Sequence, residues 1–461
     1  MQQVSKGNPY MRYLQGACFL LILVAGMFFR LGTAGGTIVD TPVRNDAKEY
    51  VAYAWNLKYH GIYSLDSSPM LGAVLAPPEP DAVRPPAYPW LLRIFMGRSI
   101  DYAFVYRISF VQAWIAGITL LCSMLLAMRL IGAWGGLAVG ALLALSPHQS
   151  VYVSYLLTET LYGATLVMAL GASVLAIKAQ KRSLRYGFAV LAGVLFGLTC
   201  LTRPTLNQWV PFLLLLLVFP AMRRFRFEIL TLTLGFVLMM SPWWIRNEIS
   251  VHKVSDSLKA LQTVQQGSYP DFMYEGRPET YRMPYYYDPA VAKIGKSWAL
   301  LFADLRDKFA ERPLTMVRWY LFGKIMYFFD WQSVEGWTDM FAYPVLRSPW
   351  LTDPIFTGTD VLMHRIYTPL ILFGLLGTLV AFFPRSRVPF SAHDVVAMRF
   401  LALLHIFVIM VHVVGTPIAR YSVPFRPLTF LLSVFFVVWI YRGYNWQTRN
   451  LNVDTQSQTA A

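Results

Sequence analysis

The stretch LQGACFLLILVAGMFF, residues 14–29, carries no charged side chain, and the runs at residues 186–201 and 428–441 share this property. Runs of this kind approach the ~20 residues that a helix needs to cross a ~30 Å hydrocarbon layer. Backbone groups inside that layer have to bond internally, so these runs are predicted to be helices. Core helices of a large soluble protein are the alternative, and the number of uniformly apolar runs disfavours it.

The whole chain is poor in charge. Of its 461 residues 56% are hydrophobic and only 14% are charged, whereas a soluble domain has about 25% charged residues. The net charge is +15, but the basic residues fall between apolar runs rather than in one patch. We therefore interpret them as topology signals and contacts to the lipid bilayer, and we expect no nucleic-acid partner. The three cysteines, Cys18, Cys122 and Cys200, lie in apolar runs and predict neither a disulfide framework nor a metal site.

Ten membrane spans account for the pattern and predict an all-α polytopic membrane protein. They lie near residues 13–31, 101–128, 131–146, 151–177, 186–202, 207–221, 228–245, 365–384, 397–415 and 422–441. Short basic clusters follow the fourth, sixth, eighth and tenth spans: Lys178, Lys181, Arg182, Arg185, Arg223, Arg224, Arg226, Arg385, Arg387 and Arg442. By the positive-inside rule these clusters, and with them both termini, are predicted to be cytoplasmic.

This topology divides the chain into six parts: an N-terminus with the first span (1–31), a first loop (32–100), spans two to seven (101–245), a second loop (246–364), the last spans (365–441) and a C-terminal tail (442–461). Lys6 and Arg12 precede the first span without a cleavage signal, which indicates a retained anchor. Both long loops are predicted to be extracytoplasmic. Ala47–Tyr59 is predicted to be a helix on the membrane surface, and Leu314–Phe329 an interfacial or re-entrant helix.

The first loop contains the residues best suited to chemistry. Asp46 opens the predicted surface helix, and Arg84 begins an Arg-Pro-Pro turn. Taken separately, each has an ordinary structural explanation. An acidic residue at the start of a helix usually caps it or complements its dipole, and an Arg-Pro-Pro sequence is usually a rigid turn.

A series of motifs follows along the chain, and each maps to the extracytoplasmic end of a predicted span. The motifs are Asp46 before Ala54-Trp55-Asn56-Leu57, Arg84–Pro89, Ser146-Pro147, Leu157–Thr160, Leu201–Pro204, Pro242–Asn247 and Arg420-Tyr421 with Pro424. Taken in this order, they resemble the motifs of the GT-C membrane glycosyltransferases, in the group of the protein O-mannosyltransferases and the lipid A aminoarabinose transferase.

The resemblance implies a bundle of about 10–12 transmembrane helices with amphipathic juxtamembrane helices in the first loop. It also implies transfer of a sugar from a polyprenyl-phosphate carrier to an acceptor hydroxyl outside the cytoplasm, with inversion at the sugar. Asp46 matches the acid of the family's first loop and is the candidate general base, because a positioned carboxylate can take the acceptor's proton. The leaving phosphate needs fixed cations or donors. The candidates are Arg84, Arg246, Arg420, Tyr421 and, more weakly, Arg203.

Further candidates have two interpretations each. Glu159 is costly within a span, and it either pairs with Arg203 to hold helices together or acts as a second catalytic acid. Four tyrosines are candidate contacts to acceptor or sugar, with interfacial anchoring as the alternative: Tyr50, Tyr88, Tyr269 and Tyr274. The second loop is a candidate lid over the lipid site.

Two departures from the family pattern leave the identity of the sugar donor undetermined. Ala47 follows Asp46 where the mannosyltransferases have a Glu, and Glu49 stands where the aminoarabinose transferase has an Arg. Asp40 and Asp66 in the same loop compete with Asp46 for the role of base. Neither clustered carboxylates nor paired histidines indicate a metal, so we expect no required cofactor, although a divalent metal stays open.

The sugar and the acceptor stay undetermined, and a glycan, a glycolipid or an exported protein are acceptor candidates. The compact chain fits a bacterial inner membrane with the site facing the periplasm or cell exterior. The main alternative is a transporter or flippase of a lipid-linked saccharide. That function calls for polar groups at mid-membrane and repeat symmetry, neither of which the sequence shows. A non-catalytic scaffold leaves the Asp and Arg series unexplained.

Overall fold

A computed structural model describes residues 9–72, 77–254, 258–281, 283–332, 340–383 and 390–459. The described residues are mostly helical. The helices are α1 (Pro9–Gly36), α2 (Asn45–Tyr59), α3 (Ala87–Phe95), α4 (Tyr102–Ile131), α5 (Ala133–Leu145), α6 (Pro147–Val151), α7 (Glu159–Lys178), α8 (Arg182–Thr202), α9 (Trp209–Leu215), α10 (Arg226–Val251), α11 (Leu258–Gln266), α12 (Val291–Ile294), α13 (Trp298–Glu311), α14 (Pro313–Arg318), α15 (Lys324–Phe328), α16 (Pro349–Thr352), α17 (Pro354–Val380), α18 (Ala392–Val414) and α19 (Arg426–Thr459).

Eight helical segments among the described residues are long and apolar enough to cross a membrane. They match eight of the ten predicted spans, and two shorter apolar segments, Ala133–Leu145 and Pro204–Val218, fall at the third and sixth predicted spans. The predicted class, an all-α polytopic membrane protein, is confirmed. The basic residues Lys6, Arg385 and Arg387, used above for topology, lie outside the described residues.

The fourth span differs from its predicted bounds. The prediction begins it at residue 151, but α6 and a short 3-10 helix occupy residues 147–154, and α7 begins only at Glu159. Pro147 takes the first position of α6, where its missing N–H costs nothing, so the chain breaks before the span. Glu159 therefore lies in the first turn of its helix and not two turns inside it, as the sequence had indicated.

Helices α8 and α10 pack with almost no gap between their backbones. A Cβ added to Gly193 would lie 1.9 Å from the carbonyl oxygen of Leu232, and one added to Gly235 would lie 2.1 Å from that of Val190. Only glycine fits at such an approach. This contact fixes the direction of α8, whose end is followed directly by Arg203.

The first loop folds into the protein. The predicted helix over residues 47–59 is present as α2, but it buries more than one face, including Ala47, Tyr53 and Asn56. The prediction of a helix lying on the membrane surface understated this burial.

A two-stranded antiparallel sheet joins the first loop to the second. Strand β1 (Ile38–Val39) pairs with β2 (Val345–Arg347). Next to it, the hydroxyls of Thr37 and Ser348 lie 3.0 Å apart. The two long loops are thus held to each other beside the helices. In the second loop, the stretch predicted as an interfacial or re-entrant helix is α14, a five-residue π-helical turn and α15.

Candidate active site

A cavity of about 180 Å³ lies where the first loop, the second loop and the ends of several long helices meet. This is more than ten times the ~10–15 Å³ that one water requires, so the cavity admits a phosphate or a sugar ring. It is lined by Asp46, Tyr50, Arg84, Leu157, Thr158, Glu159, Arg203, Gln262, Thr263, Gln266, Arg420 and Tyr421.

Asp46 lies in the first turn of α2, after Asn45 in the left-handed region (φ 45°). The N-cap position is taken by Arg44, whose side chain makes no capping bond. The Asp46 carboxylate instead accepts hydrogen bonds from two arginines, Arg84 Nη2 at 2.7 Å and Arg420 Nη2 at 2.5 Å. Asp46 is therefore not the N-cap of α2. Its carboxylate instead forms two ion pairs in the wall of the cavity.

These partners determine the charge state of Asp46. Burial raises the pKa of the carboxyl, but the charges of Arg420 and Arg84 together outweigh burial, and the pKa is held well below its ordinary value. An opposite charge within about 4–6 Å favours the charged form of an acid. Asp46 is thus ionised over the whole physiological range, and it is a weak base as long as both arginines bind it.

Arg84 is held from three sides. Its Nε lies 2.5 Å from Glu49 Oε2, and its guanidinium stands over the ring of Tyr50, 5.3 Å from the ring centre. The hydroxyl of Tyr63 donates to the backbone oxygens of Arg84 and Pro85 at 3.1 and 3.0 Å. A proline-stiffened turn fixed in this way presents a pre-oriented guanidinium to the cavity.

Glu159 joins the same network although it is only 3% exposed. Its Oε1 lies 3.3 Å from both Arg203 Nη1 and Arg420 Nε. Its Oε2 has no hydrogen-bond partner within the part of the chain that the structure describes. The structure therefore contains the Arg203 pair that the structural interpretation required, and it also brings Glu159 to the cavity, as the catalytic interpretation required.

Arg420 connects the two acids, because it contacts both Asp46 and Glu159 from a 3-10 helix over Ala419–Phe425. The neighbouring Tyr421 carries the Arg203 guanidinium over its ring at 3.9 Å. Cation–π stacking of this kind orients an arginine that has no second carboxylate. Arg203, the weakest of the predicted phosphate ligands, is thus well placed in the cavity.

Arg246 is not in this cavity. Its guanidinium donates to the backbone oxygens of Asp81 (2.5 Å) and Tyr63 (3.0 Å), and it lies over the rings of Tyr63 and Trp243. These contacts tie the end of α10 to the first loop. Arg246 therefore holds the framework together and lies outside the lining of this cavity, and its role beside the donor phosphate stays a prediction.

Three of the four predicted tyrosine contacts also lie away from the lining. Tyr50 lines the cavity. Tyr88 is buried and bonds Gln112 at 3.1 Å, and Tyr269 donates to Asp288 at 2.6 Å. The side chain of Tyr274, below Arg277, does not line the cavity either. The competing acids of the first loop, Asp40 and Asp66, are likewise absent from the lining.

One wall of the cavity was not predicted from the sequence: Gln262, Thr263 and Gln266 of α11 line it. Leu157 and Thr158, which also line the cavity, belong to the motif Leu157–Thr160 named above. The only sequence signal for the glutamines is their four-residue spacing, which places them on one helix face. No group of three or more His, Cys, Asp or Glu side chains that could hold a metal ion occurs among the described residues.

The fold and the cavity define a polytopic membrane protein with a polar, arginine-rich site. Among solved structures, the chain is similar to the oligosaccharyltransferase AglB of Archaeoglobus fulgidus in complex with an inhibitory peptide and a dolichol-phosphate. The TM-score is 0.53 and the identity 15%, over 97% of this chain and 52% of that one. A complex of the A. fulgidus oligosaccharyltransferase with Zn and sulfate matches with a TM-score of 0.52 and 14% identity, over 95% of this chain and 51% of that one.

The chain thus spans about half the length of these archaeal structures. ArnT of Cupriavidus metallidurans bound to undecaprenyl phosphate matches at 15% identity over 93% of this chain and 78% of that one, with a TM-score of 0.39. No family model and no curated protein matches the sequence. The chain shares the fold of these archaeal oligosaccharyltransferase structures, and the expectation from its motifs is confirmed at the level of the fold.

Proposed function

We propose that this protein is a membrane glycosyltransferase that moves a sugar from a polyprenyl-phosphate carrier to an acceptor hydroxyl, with inversion and with Asp46 as general base. The observation that carries the proposal is the cavity in which Asp46 and Glu159 are held by Arg84, Arg203 and Arg420. The comparisons support it, because the AglB structure contains a dolichol-phosphate.

The arginines suit a phosphate that links a lipid to a sugar. A guanidinium forms strong paired hydrogen bonds to phosphate oxygens. Three guanidiniums and two carboxylates line the cavity, and Glu49 pairs with Arg84 from outside the lining. The lining itself thus carries one net positive charge, which matches the single negative charge of a phosphodiester. The size of the cavity suits one sugar better than an oligosaccharide.

Donor binding and base activation are coupled in this arrangement. When the donor phosphate accepts hydrogen bonds from Arg84 and Arg420, both arginines contact Asp46 less closely. The pKa of the carboxyl then rises from its depressed value towards the ordinary one, because the charges that lowered it are shared with the phosphate. Asp46 becomes a competent base only once the donor is in place.

The reaction then balances in one displacement. The acceptor oxygen forms a bond to the anomeric carbon, and the bond from that carbon to the phosphate oxygen breaks. The acceptor proton passes to Asp46, and the electron pair of the broken bond stays on the polyprenyl phosphate, where the arginines stabilise its charge. Glu159, whose Oε2 has no partner among the described residues, is placed to orient the acceptor hydroxyl.

We propose that this chemistry requires no metal ion. The positive guanidinium of Arg420 lies between the two cavity carboxylates, within 2.5 Å of Asp46 Oδ2 and 3.3 Å of Glu159 Oε1. It supplies there the charge that a cation bridging two acids would supply. Transfer activity that is unchanged in EDTA supports this part of the proposal, whereas activity lost in EDTA and restored by Mg²⁺ or Mn²⁺ contradicts it.

The topology is part of the same proposal. The positive-inside pattern supports an extracytoplasmic site, facing the periplasm or cell exterior if the membrane is a bacterial inner membrane.

The experiment that tests the proposed function is mass spectrometry of envelope glycans, glycolipids and exported proteins from cells that carry the intact gene, a deletion, or Asp46→Asn. A sugar present only with the intact gene supports the proposal and identifies the acceptor. A sugar that persists in Asp46→Asn cells contradicts the role of the base. Accumulation of unflipped lipid-linked saccharide in the deletion would favour a flippase instead.

A further inference from the structure

Among the described residues, one wall of the cavity is lined by uncharged side chains. It is formed by α11 of the second loop, whose residues Gln262, Thr263 and Gln266 line the cavity. Gln262 and Gln266 are four residues apart and share a helix face. Neither side-chain amide has a hydrogen-bond partner among the residues that the structure describes. By contrast, every arginine and carboxylate in the lining has an ionic partner.

This wall is fixed in position. A Cβ added to Gly267, which follows α11, would lie 2.0 Å from the carbonyl oxygen of Gly415, so the two backbones are in direct contact. Trp319 Nε1 donates to the oxygen of Gly267 at 3.0 Å, and the Nζ of Lys324 donates to that of Gly415 at 2.9 Å. Gly415 follows α18 and precedes Arg420 by a short segment. We call the side of the cavity formed by α11 the neutral wall and the side formed by the arginines and the two acids the charged wall. These contacts hold the two walls at a constant separation.

The two walls suit different parts of a donor. Guanidiniums match the phosphate, whereas a primary amide offers two N–H donors and an accepting oxygen. A sugar hydroxyl also donates and accepts, so two uncommitted amides are well suited to a ring bearing hydroxyls. Two uncharged amides offer no counter-ion to a charged substituent on that ring.

A charged sugar is disfavoured in this cavity. The ammonium of an amino sugar would lie near three guanidiniums. The carboxylates that line the cavity within the described part of the chain, Asp46 and Glu159, are already bound to arginines. A uronic acid would compete with the carrier phosphate for those arginines and would be repelled by both acids. A neutral sugar adds no charge, so the charge of the phosphate stays balanced by the arginines.

We propose that Gln262 and Gln266 bind the hydroxyls of the transferred sugar and select a neutral sugar over amino sugars and uronic acids. This proposal rests on the proposed transferase function and specifies its substrate class. The two glutamines act as specificity residues, separate from the groups that bind phosphate or move the proton.

The test is a binding measurement, which needs no acceptor. Full-length protein in detergent is titrated with undecaprenyl phosphate and with its glycosides carrying glucose, mannose, galactose, 4-amino-4-deoxyarabinose or glucuronate. At least one neutral glycoside is expected to bind at least about tenfold more tightly than the bare carrier, because two neutral hydrogen bonds can contribute that much binding free energy. Neither charged glycoside is expected to gain over the bare carrier.

Variants then test whether the two glutamines cause this gain in affinity. The double variant Gln262→Ala with Gln266→Ala is expected to lose the gain from the sugar and to keep the affinity for undecaprenyl phosphate. Gln208→Ala, a surface glutamine outside the lining, is the matched control and keeps both. Gln266→Glu adds a carboxylate to the wall and is expected to shift the preference towards the 4-amino-4-deoxyarabinose glycoside.

The outcomes separate the two proposals. If no form of undecaprenyl phosphate binds, the transferase proposal and the sugar proposal both fail. If the bare carrier binds, the transferase proposal survives, and the sugar proposal is overturned by either of two results. One is a charged glycoside that binds most tightly, and the other is a gain from the sugar that remains in the double alanine variant.

Discussion

The two walls of the cavity differ in how their side chains are engaged. On the charged wall, Asp46 is bound by Arg84 and Arg420, and Glu159 by Arg203 and Arg420. On the neutral wall, the amides of Gln262 and Gln266 have no partner among the described residues. The comparison indicates that the charged wall is a set of exchangeable ion pairs that a phosphate can enter. On the neutral wall, the amides of Gln262 and Gln266 can bind a ligand without breaking a hydrogen bond to another described residue.

The largest effect is expected from Asp46→Asn, which keeps the shape of the side chain and removes the base. We expect transfer to fall by about 10²–10⁴-fold, the usual contribution of a positioned acid or base. Affinity for undecaprenyl phosphate is expected to be equal or higher, because Arg84 and Arg420 are no longer held by a carboxylate. Turnover is measured as release of sugar from a radiolabelled carrier in membranes that contain the acceptor.

The matched control is Asp66→Asn, which changes an acid of the same loop outside the cavity. It is expected to keep wild-type turnover. Equal losses in both variants would mean that the loop depends on its charge in general and that Asp46 has no special role.

A second, intermediate effect distinguishes cavity arginines from framework arginines. Arg84→Gln removes a charge-assisted contact to the phosphate and is expected to weaken binding of undecaprenyl phosphate by about tenfold to a hundredfold. Arg246→Gln is expected to leave that affinity within about twofold but to lower the melting temperature. The reason is that Arg246 bonds the backbone oxygens of Tyr63 and Asp81. If the two variants lost affinity equally, the phosphate site would have to extend to Arg246.

The smallest effect is a pH dependence of stability. The folded pKa of Asp46 is lowered below that of the unfolded chain, where an Asp titrates near ~3.9. The stability from its ion pairs is therefore fully present above about pH 4 and is lost as the pH falls below that value. Between pH 8 and 5 the difference in melting temperature between wild type and Asp46→Asn is expected to be constant. A difference that changes near neutral pH would mean that the pKa of Asp46 is raised instead.

The sequence predicted the fold class well because membrane spans are encoded by composition. Long uncharged runs have one stable structure in lipid, so eight long helices follow from them directly. The predicted ends of the spans were less accurate where one helix is interrupted before the next begins. The run at residues 151–158 is apolar enough to extend the fourth span, and only the local geometry after Pro147 shows that α7 begins at Glu159.

For the site, the charged wall was predictable and the neutral wall was not. Asp46, Glu159, Arg84, Arg203 and Arg420 stand out because charge is rare in this chain. Rarity does not show where a side chain points, and for that reason Arg246 was grouped with them although it bonds the backbone of the first loop. Gln262 and Gln266 are ordinary residues of a long loop. Long-range contacts such as the packing of Gly267 against Gly415 hold the end of α11 at the cavity, and the local sequence does not reveal them.

The most direct test of donor binding by the Asp46 arginines is a structure of the protein with undecaprenyl phosphate bound. We expect the phosphate oxygens to lie within hydrogen-bond distance of the Arg84 and Arg420 guanidiniums. We also expect the contact between Arg420 Nη2 and Asp46 Oδ2, which is 2.5 Å here, to have opened. A phosphate bound elsewhere, for example at Arg246, with both ion pairs of Asp46 intact, would contradict the proposed coupling of donor and base.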